Sequence, residues 1–202
     1  MAFRSLESTK KVIRTSRSFD GGTTWDTAAE VQQNEIQFDD IDEPTSVVQL
    51  TTGRLLVAFR NHAKDGATGA FTYFRITVYR SDDSGTTWQY HSHCYERDAT
   101  VDPNAIWEPV LRMASGNILQ CYFSEETSKT SLSDATVDQN IALHQSNDDG
   151  VTWAYVTTPV GIAAGNIING MSGVAAIDDA AGKLMSVTRI QSRLLKNPCP
   201  GP

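Results

Sequence analysis

No stretch of the 202-residue sequence approaches the ~18 consecutive apolar residues of a membrane-spanning helix, which argues against a membrane partner. The opening residues, Met1 to Lys11, lack the apolar core of a secretory leader, so they leave the compartment open. Cysteine is scarce. Cys94, Cys121 and Cys199 are an odd set without CxxC or Cys/His spacing, which gives neither a disulfide framework nor a metal site. Cys121, in the run Ile118–Phe123, reads as a small buried apolar residue. No Asn-x-Ser/Thr acceptor is present. Basic residues are outnumbered, 17 Lys and Arg against 24 Asp and Glu, and the net charge of −7 argues against nucleic acid, which needs clustered cations. Heptads, sustained helical periodicity and low-complexity bias are missing too, which excludes coiled coil, collagen and disorder. What remains is an ordinary globular composition, 40% hydrophobic, long enough to bury a core.

The sequence repeats itself. Three octapeptides share the pattern Ser-x-Asp-x-Gly-x-Thr-Trp: Ser18 to Trp25, Ser81 to Trp88 and Ser146 to Trp153. The steps from Trp25 to Trp88 and from Trp88 to Trp153 are 63 and 65 residues. A second motif keeps time with the first, with its turn glycines at Gly53, Gly116 and Gly182, steps of 63 and 66. Two unlike motifs with one period establish a tandem array of units about 64 residues long.

Each unit reads as four short strands, a to d. Ser46–Leu50 and Arg54–Arg60 flank a Thr-Thr-Gly turn, Phe71–Arg80 alternates, and Trp88–Cys94 follows the octapeptide. Four antiparallel strands per repeat form the blade of a β-propeller, and this chain holds about three blades' worth. In each octapeptide the Asp (Asp20, Asp83, Asp148) caps backbone N–H groups of the c–d turn. The Gly (Gly22, Gly85, Gly150) takes a positive φ, and the Trp (Trp25, Trp88, Trp153) fills space between sheets. The EF-hand spacing is missing from Asn147–Gly150, so these acids read as turn locks and no metal is expected.

Strand direction places the chemistry. The octapeptides and a–b turns share one end of the blades, and strand-a starts with strand-b ends share the other. The second rim carries Asp39 to Glu43, Trp107-Glu-Pro109, Asn169-Gly-Met171, Arg60-Asn-His62, Ser124-Glu-Glu126 and Thr188-Arg189. Taken singly, an acidic run is usually a solvated loop, and His62, His91 and His93 read as ordinary structural histidines. Glu108 differs, because an aromatic neighbour and a rigid proline favour a partly buried carboxyl.

The octapeptides resemble the Asp-boxes, or BNR repeats, of the sialidase-like β-propeller superfamily. Sialidases fit less well, since their Arg-Ile-Pro segment would fall where this chain has Asp42-Glu-Pro-Thr45. Asp40-Ile-Asp-Glu-Pro44, Leu55 to His62, Tyr73 to Val78, Ile106-Trp-Glu-Pro109, Tyr122 to Glu126 and Gly170 to Ala175 resemble the fungal exo-α-1,5-L-arabinanases of glycoside hydrolase family 93. That resemblance implies an all-β, six-bladed propeller and a secreted, retaining, exo-acting enzyme without cofactor. Its partner would be carbohydrate, a plant arabinan-type polysaccharide or oligosaccharide. It implies Glu108 as one catalytic carboxyl and a second near Thr188, where this chain reads Met185-Ser-Val-Thr188. Asp40, Asp42, Arg60, Asn61, His62, Trp107, Glu126 and Asn169 are the implied substrate-binding set.

Retaining hydrolysis needs two carboxyl groups ~5–5.5 Å apart, so the expectation is little or no glycosidase activity. The octapeptides divide the chain into a half-blade at 11–38 with no room for strands a and b, blades at 39–101 and 102–165, a half-blade at 166–188 and an irregular tail at 189–202. Open blade edges imply self-association. A fragment or degraded copy of an arabinanase-like glycosidase is the favoured reading, against a sialidase fragment or a non-catalytic carbohydrate-binding propeller.

Overall fold

The computed structural model describes residues 1–45, 47–133, 138–161, 167–178 and 183–192. These residues form fourteen strands and no α-helix. β1 (Ala2–Glu7), β2 (Lys10–Thr15) and β3 (Ala29–Glu35) make a three-stranded antiparallel meander. β4 (Asp39–Asp42) and β5 (Val48–Gln49) both pair with β6 (Leu55–Lys64), followed by β7 (Phe71–Ser81) and β8 (Gln89–Asp98). β4 and β5 are one inner strand, broken at Glu43-Pro44. β9 (Ile106–Ala114), β10 (Ile118–Glu126), β11 (Gln139–Ser146) and β12 (Ala154–Val160) form the next four-stranded blade. β13 (Ile167–Asp178) and β14 (Lys183–Ser192) make a hairpin that joins this blade through one parallel pairing, Ile168 with Gln139.

Packing explains the unbroken apolar run of β6. Leu56 and Ala58 bury against Ile106, Leu111, Leu119 and Phe123 of the blade that follows. Val57 and Phe59, on the opposite face, bury against Ile13 and Val31 of the meander before it. A strand covered on both faces has no polar alternation to show. Burying each such Leu, Val or Phe contributes roughly 1.5–3 kcal/mol.

The three octapeptides adopt one geometry. Asp20, Asp83 and Asp148 each accept the main-chain N–H of the Thr four residues on, at 2.9 Å, and its hydroxyl at 2.6 Å. Gly22, Gly85 and Gly150 have φ of 92°, 84° and 84°, and each donates its N–H to the leading Ser at 2.8 Å. Trp88 donates its indole N–H to Thr15 Oγ1 at 3.0 Å and Trp153 to Ser92 Oγ at 3.1 Å, so each reaches the preceding sheet. Trp25 bonds only within its own turn, to the Gly22 carbonyl, and is half exposed.

Two expectations about the ends are corrected. Residues before Lys11 do form a strand. β1 pairs with β2 from Ala2–Thr15 to Glu7–Lys10, closing on a two-residue turn with Ser8 at φ 55°. Ladder bonds and the Arg14–Glu7 ion pair at 2.9 Å hold this polar segment, which has little apolar pattern of its own. At the other end, β14 continues through Ser192, because Arg189 to Ser192 pair with Gly170 to Ile167. Residues 193–202 of the expected tail lie outside the described residues.

Candidate functional site

Inner strands β4, β9 and β13 begin at the same end of the blades, opposite the octapeptides. Two of them are kinked alike. Glu43 precedes Pro44 at φ 53°, and Glu108 precedes Pro109 at φ 52°. Positive φ is uncommon for a side-chain-bearing residue and marks backbone held by its surroundings. Pairing of β9 with β10 shifts register between Tyr122 and Ser124, so the ladder passes over Glu108 and Pro109. The Glu108 N–H instead donates to Glu43 Oε2 at 2.9 Å. Beyond Glu108 lies Gly170 of β13. A Cβ there would come within 2.7 Å of Glu108 Oε2, so the Glu108 carboxyl occupies the space the glycine leaves.

A charge cluster surrounds Glu43. Lys11 bridges Asp40 and Asp42, at 3.1 Å to Asp42 Oδ2, and Arg4 Nε lies 3.1 Å from Asp42 Oδ1. Arg60 lies 3.5 Å from Asp40, 3.6 Å from Asp42 and 3.5 Å from Glu43 Oε2, with its guanidinium 4.7 Å over the Trp107 ring. Burial is the largest single effect on Asp40 and Asp42 and works against their charges. Lys11, together with Arg60 at Asp40 and with Arg4 and the Glu43 N–H at Asp42, still holds both below the usual carboxylate range. Glu43 goes the other way. Burial raises it despite Arg60 and the Glu108 N–H, with the charges of Glu108 and Asp42 adding to the rise. Among the described residues no set of three His, Cys, Asp or Glu side chains is placed to hold a metal.

A second layer lies beneath. His62 is fully buried, donates from Nε2 to the Ile106 carbonyl at 2.8 Å and meets Trp107 edge-on at 5.1 Å. Burial pushes it down to about 3, and the nearby Arg60 charge acts in the same direction. Glu126, its side chain 4% exposed, accepts the Ala105 N–H at 2.9 Å, the Trp107 indole at 3.2 Å and the Lys129 ammonium at 2.9 Å. Glu126 is therefore an anchor for Trp107. Asn61 and Asn169 are buried, the latter donating to the Gln139 carbonyl at 2.9 Å. Thr188 lies opposite the β13 bulge between Gly170 and Gly173, its hydroxyl 3.4 Å from Ser186.

Of the residues singled out by sequence, Asp40, Asp42, Arg60, Trp107 and Glu108 come together, while His62, Asn61, Asn169 and Glu126 lie behind them. His91 and His93 contact the Asp149 carbonyl and Thr77 Oγ1 on the outer strand. Sequence reasoning placed Glu43 on the rim without giving it a role and passed over Lys11. A signal for Glu43 was present: its Glu-Pro recurs 65 residues on at Glu108-Pro109, the step of the octapeptides. The assembled group offers two carboxyls, buffered acids and an indole at one rim, suited to a neutral polyhydroxylated ligand.

No protein-family model matches the sequence, and no curated protein matches it. Solved structures do. An α-L-arabinanase of Penicillium chrysogenum, complexed with arabinobiose, is similar over 92% of this chain and 51% of its own, at 24% identity and a TM-score of 0.63. A GH93 α-L-arabinofuranosidase of Fusarium graminearum, also complexed with arabinobiose, is similar over 100% of this chain and 58% of its own, at 21% identity and a TM-score of 0.64. A Hadza microbial sialidase matches over 92% of this chain and 37% of its own, at 18% identity and a TM-score of 0.61. The chain thus spans about half the length of the first two. Tandem four-stranded blades, their shared octapeptide turns and these likenesses agree: the chain has the fold of the sialidase-like β-propellers.

Proposed function

We propose that the rim around Glu108 is a carbohydrate site of the exo-acting glycoside hydrolase kind, with arabinan-type oligosaccharide as ligand, and that this chain binds such a ligand with little or no hydrolysis. The observation that carries the reading is Glu108 itself. It stands on a strained Glu-Pro kink at an inner-strand start, beside Trp107 and Arg60 and against Gly170. Two similar structures hold arabinobiose, which makes that disaccharide the probe. Retaining hydrolysis would need a second carboxyl across the sugar from Glu108, and Thr188 occupies the position where one is expected. A hydroxyl can neither form a comparably stabilised glycosyl intermediate nor protonate a leaving group at neutral pH.

Calorimetry with arabinobiose, together with product analysis on linear arabinan, tests both halves. Wild type should bind arabinobiose, Glu108→Gln should weaken binding roughly tenfold, the scale of one charged hydrogen bond, and neither should release sugar. Robust release of arabinobiose, abolished by Glu108→Gln, would refute the non-hydrolytic half, and absence of binding would refute the carbohydrate half. A sialoside serves as the contrasting ligand. Recognition of its carboxylate needs uncommitted cations, and Arg4, Arg60 and Lys11 here already face Asp40, Asp42 and Glu43.

A further inference from the structure

Glu43 has no role in the reading above, yet its surroundings tie it to Glu108 more directly than those of any other rim carboxylate described. We propose that Glu43 is a positioning residue for Glu108, fixing the backbone from which the Glu108 side chain projects into the rim. The proposal rests on the reading of that rim as a carbohydrate site and deepens it.

Geometry supplies the argument. The β9–β10 ladder skips Glu108, so its N–H needs another acceptor, and Glu43 Oε2 accepts it at 2.9 Å. A buried main-chain donor left without a partner is costly, so this bond and the left-handed φ of Glu108 stand or fall together. Glu43 is itself held from behind. Its N–H donates to Asp42 Oδ1 at 2.9 Å, Pro44 restricts its backbone, and Arg60 Nε lies 3.5 Å from the same Oε2. Asp42 is fastened in turn by Lys11 and Arg4. A relay therefore runs from the first meander through β4 to β9. It ends on Glu108 Oε2, in the space Gly170 leaves open. Each glutamate leans on the inner strand of the blade that follows it.

Charge follows geometry. Arg60 from β6, Asp42 from β4 and Glu108 from β9 are the ionisable groups acting on Glu43. Burial, helped by the charges of Glu108 and Asp42, favours its protonated form and prevails, while the Arg60 charge and the Glu108 N–H oppose it. A neighbouring negative charge keeps a carboxyl protonated to higher pH, so removing the Glu108 charge should lower the titration midpoint of Glu43. A role confined to chain folding would leave arabinobiose affinity independent of the protonation state of Glu43.

The 202-residue chain, Glu43→Gln, Glu43→Ala and Glu108→Gln test the proposal. Calorimetry with arabinobiose from pH 4 to 8 and side-chain carboxyl NMR titration of Glu43 are the readouts. Glu43→Ala, which removes both acceptor and charge, should weaken arabinobiose binding about tenfold. Glu43→Gln keeps an oxygen acceptor for the Glu108 N–H but removes the group that titrates, so it should retain neutral-pH affinity within about threefold while the part of the pH profile due to Glu43 disappears. In Glu108→Gln the Glu43 midpoint should fall. Wild-type binding by Glu43→Ala, an unchanged pH profile in Glu43→Gln, or an unmoved Glu43 midpoint in Glu108→Gln would each overturn the assignment. Should wild type bind no arabinobiose, the carbohydrate reading fails, while the NMR arm still decides the coupling. Should Glu43→Ala fail to fold, Glu43→Gln and the NMR arm decide it.

Discussion

The carboxylate of Glu126 accepts a main-chain N–H, an indole N–H and an ammonium, with almost no water contact. Removing it leaves the Lys129 charge, a buried main-chain donor and the half-buried Trp107 indole unmatched, which costs about 3–5 kcal/mol when one partner of a buried pair is deleted. Glu126→Ala should therefore lower the urea midpoint sharply, and Glu126→Gln less so, because an amide oxygen still accepts one donor. His62 gives a signed pH dependence. Burial keeps it neutral in the fold until about pH 3, whereas the unfolded residue protonates near 6.5. Its contribution is complete above pH 6.5 and is lost as pH falls toward 3. His144, held near 4 by burial, adds to the same slope. Urea midpoints between pH 7.5 and 4.5 should fall less steeply in His62→Gln than in wild type, and equal slopes would remove His62 as the cause. Neither residue's burial was legible in the sequence. Glu125-Glu126 and Arg60-Asn-His62 look alike as polar strand ends, and only inter-blade packing decides which side chains face inward.

At the scale of the element, the turns of the octapeptides were legible because their Ser, Asp, Gly and Thr bonds close within five residues. The packing of the Trp was not, since Trp25 is half exposed and does not fill space between sheets as Trp88 and Trp153 do. Turn glycines do not all cost the same to substitute, since the third octapeptide is wedged between blades while the Thr-Thr-Gly turn at Gly53 is open. Gly150 has φ 84°, and a Cβ there would stand 3.2 Å from Leu119 and 3.4 Å from Leu56 and Trp153. Gly53 has φ 88° with nothing within 4 Å. Backbone strain alone costs roughly 1–2 kcal/mol in this region, so Gly53→Ala should lose about that much. Gly150→Ala should lose about 1–3 kcal/mol more, the usual cost of overpacking. Equal losses in denaturant unfolding would show that the blades move apart without resistance. β1 was illegible for the opposite reason. Ala2–Glu7 has little apolar pattern, and its strand state is imposed by β2 across the turn. The kinks at Glu43 and Glu108 lie between these cases. Glu-Pro is written twice in the sequence, but the bond that gives the pair meaning crosses from one blade to the next.

The whole molecule is a row of blades whose two ends differ. Among the described residues, its first sheet has β1, β2 and β3 with no inner strand inside β1, and the β13–β14 hairpin has an inner strand and a neighbour with no outer pair. The hairpin also exposes Ile177, Met185 and Val187, at 61%, 57% and 70%. An unpaired strand edge beside exposed apolar side chains favours pairing with another chain. We propose that copies of this 202-residue chain associate through these ends. Each copy carries a net charge of −7, so repulsion opposes the contact and salt should strengthen it by screening. Light scattering after size exclusion should give a mass above 22.1 kDa that rises with protein concentration and with ionic strength. Met185→Lys with Val187→Lys changes only exposed side chains, so it should leave the unfolding midpoint within about 0.5 kcal/mol of wild type while returning the mass to that of one chain. A wild-type mass of 22.1 kDa at every concentration and salt would refute the association. A doubly substituted protein that still associates would move the contact from the hairpin to the β1 edge.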